Sequence, residues 1–277
     1  MKYESNENLY KELSIDCSNC FGFCCVALYF SKMDGFPEDK KAGQPCINLS
    51  DDFSCKIHSD LRKIGLKGCT SFDCFGAGQK VAQKTYKNIS WREAKEKAQE
   101  MYDVFLVMKN THEMMYYLND SMNFTENKSI LKKIEDMIEK ISNITNLSPK
   151  YLLKIDIEKQ RIEVNNLLKE VRRDFILKTN LKNKKDLPLG FDFIGKNLSN
   201  KNLKNQNLAG ALLIGANMKE LDLSGTMVIG ADMRDADLRG ANLKNTMYLT
   251  QSQINTAKGN SKTKLPQNIK RPFYWEK

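Results

Sequence analysis

The chain has 277 residues, with 44 Lys and Arg against 34 Asp and Glu, 8 Cys and only 2 His. With 41% hydrophobic and 28% charged residues it has the composition of folded domains, which excludes a disordered or collagen-like chain. The longest purely apolar runs, Cys24 to Phe30 and Val104 to Met108, fall far short of the roughly 20 residues of a membrane span. The charged, polar opening MKYESNENLYKELSIDC has no apolar h-region, so no secretory leader, no membrane segment and a cytoplasmic home are expected. The net charge of +10 is lopsided. Residues 251–277 alone carry 6 basic and 1 acidic groups, so the excess belongs to a tail and is not massed on one nucleic-acid-binding face.

Pattern divides the chain into a Cys-rich module (1–90), a helical hairpin or bundle (91–186), a five-residue repeat (187–250) and a C-terminal cap or tail (251–277). The fold class expected is multidomain α+β. All eight cysteines lie in the first segment: Cys17, Cys20, Cys24, Cys25, Cys46, Cys55, Cys69 and Cys74. In a secreted chain an even count would suggest disulfides. In a reducing cytosol thiols this dense favour a soft or borderline cation, with a set of reduced or redox-active thiols as the alternative. The Cys17-x2-Cys20 spacing lets two sulfurs reach one ion. Adjacent Cys24 and Cys25 project in different directions, so one can complete that site while the other serves a second site or the core. Eight thiols suffice for two sites of four, in a pairing that spacing leaves open. The run Gly76-Ala-Gly78-Gln lacks a six-residue glycine fingerprint and reads as a turn.

The block Cys-x2-Cys-x3-Cys-Cys, followed by a spaced Cys, Cys-x-Ile-His and a final Cys pair, resembles the zinc- or iron-chelating CxxCxxCC family over roughly residues 15–80. That resemblance implies Zn²⁺ or an Fe–S cluster held by the eight cysteines, with His58 as a further possible ligand. The match departs from the family in two places. Three residues, not two, precede the Cys pair, and His58 stands where relatives carry an aromatic. A catalytic version, an Fe–S enzyme doing redox or group-transfer chemistry on a protein substrate, would need acid or base groups beside the site. Asp52, Asp73 and His58 are the close candidates.

In the middle segment Ser90 and Glu93 form a capping-box pattern with Trp91 just inside the start. Behind it Trp91, Ala94, Ala98, Met101, Phe105, Met108, His112 and Met115 recur at three- and four-residue steps, one face of an amphipathic helix. Ile130, Leu131, Ile134, Met137, Ile138 and Ile141 predict a second helix. Ser148-Pro149 is an N-cap followed by Pro at the first helical position, predicting a third helix to about Lys178. Its inward residues would be Ile157, Val164, Leu168, Val171 and Phe175. Residues 182–186, Lys-Asn-Lys-Lys-Asp, read as a solvated linker. The Met-rich face reads as core, and His112 as a structural histidine.

From Phe193 every fifth residue is apolar through twelve quintets, ending at Tyr248, and Ala or Thr recurs two residues earlier in the later ones. Asn or Asp fills the position between. Neither a 3.6- nor a 2-residue period gives that register; it calls for stacked units that bury their apolar faces against neighbours. Segments such as ADLRGANLKN resemble the pentapeptide-repeat family, A-(D/N)-L-x-x. The resemblance implies a right-handed quadrilateral β-helix with four quintets per coil. Lys196, Lys201 and Gln206 replace the small residue, which predicts an irregular first coil. The segment after the repeat is similar to the cap that ends many such repeats, and a solenoid end requires one. Some family members mimic DNA. Three coils at about 4.8 Å give a rod of roughly 14 Å, about four base pairs long. Residues 191–250 carry seven basic and six acidic groups, so the negative field is missing, and a docking surface for a protein partner is expected instead. The whole arrangement is similar to that of a set of bacterial pentapeptide-repeat proteins.

Overall fold

Residues 5–179 and 191–276 are described by the computed structural model. The linker expected at 182–186 and repeat residues 187–190 lie outside the described residues. Two units form: Met1–Cys69 with Asp73–Arg172, and Thr70–Phe72 with Arg173–Lys277.

In the first unit the early helices are short: α1 (Glu7–Glu12), α2 (Phe23–Ala27), α3 (Leu61–Ile64), α4 (Lys67–Ser71) and α5 (Ala77–Lys80). The long elements are α6 (Ala98–Ser121), α7 (Lys128–Thr145) and α9 (Ile157–Lys178), with α8 (Pro149–Leu152) between the last two. The Ser90 capping box forms, with Ser90 N–H donating to Glu93 Oε2 at 2.8 Å and Glu93 N–H to Ser90 Oγ at 3.3 Å. It closes a turn, however, and α6 begins only at Ala98, because Ala94 leaves helical geometry at φ −104° and ψ 67°. Trp91 is used elsewhere. Its indole N–H donates to the Phe21 carbonyl at 2.8 Å, and its ring meets Phe53 and Tyr102 edge-on. The third predicted helix is also split. α8 ends at Leu152, and Asp156 starts α9 afresh by accepting the Lys159 N–H at 2.9 Å.

The core of this unit joins Met101, Phe105, Met108 and Met115 of α6 to Ile134 and Ile141 of α7 and to Val164 and Val171 of α9, all buried. Lys133–Glu170 and Lys140–Glu163 ion pairs link α7 to an antiparallel α9. The early segment packs on α6. Phe23 stacks on Phe105 at 5.5 Å, Asn6 and Asn119 exchange two hydrogen bonds, and Tyr10 donates to Asp120 at 2.9 Å. Composition changes near residue 90, yet packing is continuous across that point.

In the second unit, parallel bridges join Asp192 to Leu212, Asn197 to Asn217, Asn207 to Met227 and Leu212 to Asp232, and continue to Met227 with Met247. Each of these pairs is 20 residues apart, so four quintets complete one coil. The central residues are buried, Leu213, Met218, Leu223, Val228, Leu238 and Leu243 completely. Small positions face inward too. Where Thr replaces Ala, its hydroxyl donates to the coil beneath, Thr226 to Leu203 O at 2.8 Å and Thr246 to Leu223 O at 3.0 Å. The Asn or Asp side chain accepts the N–H two residues on, as in Asp192 to Ile194 and Asp222 to Ser224. Gly195, Asn205, Gly210 and Gly215 mark the turn position, where positive φ is required. In the first coil Lys196 and Lys201 are exposed while Gln206 is buried, and among the described residues no bridge links Asn202 to Asp222.

The repeat ends in α10 (Gln251–Thr256), opened by a capping box between Thr250 and Gln253. Lys258 and Lys264 continue the ladder beside Asp237 and Asn242. Trp275 is buried against Gly259, where any Cβ would meet its ring, and its N–H donates to Ala257 O at 3.3 Å.

Candidate metal centre

All eight cysteines are free thiols, Cys17 exposed and the other seven partly buried. Cys17 opens a single 3₁₀ turn capped by Asp16, and Cys20 closes it, donating its N–H to Cys17 O at 3.3 Å. Cys24 and Cys25 lie on α2 with their sulfurs 3.9 Å apart. The loop carrying Cys46 is tied to α2 by a bond from Cys46 N–H to Cys25 O at 3.0 Å. Cys55 returns beside it through an antiparallel bridge with Leu49, whose N–H donates to Cys46 O at 3.0 Å. Cys46 and Cys69 both pack on a small cluster of Phe30, Phe36 and Leu66. Cys74 leads into α5, which approaches the first loop so closely that a Cβ on Gly78 would stand 2.5 Å from the Cys20 sulfur.

Backbone donors converge on four of the sulfurs. Cys46 accepts the Asn48 N–H at 3.5 Å, and the backbone N–H groups of Gly22 and Phe23 at Cys20, of Gly76 and Gly78 at Cys74 and of Ile57 at Cys55 favour the ionised sulfur. Such N–H arrays are built for anionic sulfur. Lys40 is held by a bridge to Phe30, and its ammonium donates to the carbonyls of Val26, Leu28 and Lys41. It stands within electrostatic reach of Cys46, Cys25, Cys24 and Cys69.

Of the non-cysteine candidates, Asp73 stands within electrostatic reach of Cys74. His58 is exposed, and Asp52 is exposed and turned onto Ser54, accepting its N–H at 2.9 Å. Asp73 accepts the Phe75 N–H at 2.8 Å. Among the described residues no three His, Cys, Asp or Glu side chains stand in an arrangement that could already hold a metal ion.

A family model described as pentapeptide repeats matches residues 192–225 and 207–245, in eight copies. A curated relative, "Uncharacterized protein YybG" of Bacillus subtilis (strain 168), is 43% identical over 272 residues, covering 98% of each chain. The chain belongs to the pentapeptide-repeat family. The match to the Bacillus relative spans nearly all of both chains and so is not confined to the repeat of this pentapeptide-repeat protein. Among the described residues no helix is long and apolar enough to cross a membrane.

Burial dominates the thiol electrostatics. It pushes Cys20 and Cys69 up to about 12 and Cys74 up to about 11, and it raises Cys17 and Cys55. Cys25 is the exception. Its acidity is enhanced by the hydrogen bond from Cys24, which is itself raised by that bond, and by Lys40, against the opposing effect of burial. Thiols kept neutral in this way are poor nucleophiles. A bound cation reverses the balance, because it supplies the positive charge that burial withholds.

Sequence reasoning missed four contributors and the full role of a fifth. Lys40 lies in an unremarkable KK pair. Gly76 and Gly78 read as turn glycines and Gly22 was passed over, although the tripeptide Cys-Phe-Gly occurs twice, at 20–22 and 74–76, and that repetition was the available signal. His112 has a role beyond filling the core. It is fully buried on α6, and its Nδ1–H donates to the Phe75 carbonyl at 2.7 Å, while Nε2 has no partner among the described residues. Asp73 and His112 thus grip the N–H and C=O of Phe75, a non-glycine residue at φ 49°.

Proposed function

We propose that this pentapeptide-repeat protein is a metal-binding docking protein. Thiolates of the first unit hold Zn²⁺ or an Fe–S cluster, and the repeat, read as a right-handed quadrilateral β-helix, offers a rigid surface to a protein partner. The observation that carries the metal reading is the gathering of eight free thiols from separate loops, with backbone N–H groups that favour ionised sulfur, one of them bonded to Cys46 at 3.5 Å. The donor set fits: eight soft sulfurs suit a borderline cation. Cys17, Cys20, Cys24, Cys25, Cys46, Cys55, Cys69 and Cys74 would be the ligands, drawn together on loading, and the cation would supply structural cross-linking. This reading entails a reducing compartment such as the cytoplasm. The 20-residue spacing of the parallel bridges supports the β-helix reading. The near balance of charge over 191–250 favours a protein partner over DNA mimicry.

Anaerobic purification followed by metal analysis and a visible spectrum tests the proposal. Zinc with no visible absorption, or iron and sulfide with broad visible absorption, is the expected pair of outcomes, and each selects its own version. A metal-free module that is stably folded through disulfides overturns both.

A further inference from the structure

The two Cys-Phe-Gly tripeptides have the same local architecture. After Cys20 and after Cys74 the chain runs through Phe to a glycine in the left-handed region, Gly22 at φ 64° and Gly76 at φ 73°. Each glycine is the N-cap of a short helix, α2 or α5, with no side chain capping it. In each the N–H of that glycine, two residues after the cysteine, favours the ionised form of the sulfur. A left-handed residue at this point curls successive N–H groups around one centre, a nest suited to an anionic sulfur. The two nests face each other, since the position a Gly78 Cβ would take is 2.5 Å from the Cys20 sulfur. Cys17 shares a turn with Cys20, and Cys24 lies on the helix that Gly22 starts.

The remaining four cysteines have a separate frame. Cys25 and Cys46 are joined through their backbones, Cys55 is bridged to the Cys46 loop by Leu49, and Cys69 shares the Phe30–Phe36–Leu66 cluster with Cys46. Lys40 stands beside this set, bonded to Phe30 through a two-way bridge. Cys24 stands within electrostatic reach of Cys20 and Cys74, and Cys25, its sulfur 3.9 Å from that of Cys24, within reach of Cys55 and Cys69, so the adjacent pair lies where the two sets meet.

Building on the metal-binding reading above, we infer that the eight thiols form two distinct tetrathiolate sites for divalent borderline cations. The first site is Cys17, Cys20, Cys24 and Cys74, clamped by the two Cys-Phe-Gly nests; the second is Cys25, Cys46, Cys55 and Cys69, beside Lys40. Loading either site exchanges four thiol protons for one divalent cation, leaving a net charge of two minus on the site. Lys40 offsets part of that charge at the second site, and the nest N–H groups play the same part at the first.

The test uses the full chain, reduced and anaerobic, titrated with Co²⁺ while sulfur-to-cobalt charge-transfer absorption is followed. Two equivalents per wild-type chain are expected. The pair Cys20→Ser with Cys74→Ser and the pair Cys46→Ser with Cys69→Ser should each leave one equivalent, and all four changes together should leave none. One equivalent in the wild type, or loss of both from either pair, overturns the partition while leaving metal binding intact. No uptake by the wild type overturns the metal reading itself. A variant-free measurement guards against misfolded mutants: Co²⁺ is added at one equivalent and the thiols still open to alkylation are mapped by peptide mass. Protection in the sets 17/20/24/74 and 25/46/55/69 is expected, and protection in sets that mix the two overturns the partition.

Discussion

Residues 191–250 and the stretch from Cys17 to Cys74 are of comparable length and are ordered by different means. In the repeat, each coil lays its backbone on the next, the centre of every quintet is buried, and Thr226 and Thr246 add side-chain bonds between coils. Between Cys17 and Cys74 no helix exceeds five residues and the bridges are single pairs, Phe30 with Lys40 and Leu49 with Cys55. Its own buried apolar cluster is three residues, Phe30, Phe36 and Leu66. The difference shows where stability resides. Repetition lets a short apolar unit be buried by its own copies. An irregular loop region has no copies to lean on, and takes order from elsewhere: from Trp91, from Phe105 and His112 of α6, and on the present proposal from cross-linking cations.

The largest predicted effect separates the two regions by chelation. Stripping a metal-loaded sample should remove stabilisation on the order of 10 kcal/mol from the thiol region. Limited proteolysis should then cut between Cys17 and Cys74 while leaving 191–276 whole; equal cleavage of both regions would break the contrast. Next is Leu223→Ala in the middle of the coils, where a fully buried side chain becomes a cavity. A loss of about 3 kcal/mol is expected by denaturant titration, with the Co²⁺ stoichiometry unchanged at two.

The third prediction concerns the order that α6 lends to the loops. Burial pushes His112 down to about 4, against the bond to Phe75 and the charge of Glu12, which favour its protonation, and with Lys80 opposing it. The folded chain therefore binds fewer protons than the unfolded one between pH 6.5 and 4. Stability from this group is complete above 6.5, falls as the pH drops, and is lost below 4, an amount of about 3 kcal/mol. Asp73, raised to about 6 by burial, changes stability in the opposite sense between pH 6 and 3.8. The His112 contribution is thus the difference between the pH profiles of wild type and His112→Gln, and parallel profiles would contradict it. The smallest effect is Thr226→Val, which removes the hydroxyl bond to Leu203 O and should cost about 1 kcal/mol in the same denaturant assay.

How much of this was readable from residues alone follows from where the information lies. A period of five is written into the chain itself, so the apolar centres from Phe193 to Tyr248 could be assigned without coordinates. The faces of α6 and α7 were readable for the same reason. Helix ends were not, because they depend on distant partners. Trp91 continues the apolar spacing of α6, but the Phe21 carbonyl claims it, and α6 starts seven residues later, at Ala98. Asp156 interrupts the third helix with a cap that competes with the Pro149 start. The eight thiols were visible as a cluster, whereas their grouping rests on loop closures such as Cys46 to Cys25 and Gly78 to Cys20, which no spacing encodes.

The last two bridges of the ladder depart from the count of 20. Asp237 meets Lys258, 21 residues on, and Asn242 meets Lys264, 22 residues on. These extra residues put the final coil out of step with a pentapeptide edge, and Trp275 is packed into Gly259 on that same turn. A second molecule offering a regular coil would find no matching register there. The slippage acts as a full stop: an end out of step with the five-residue period gives a self-templating edge no register to extend.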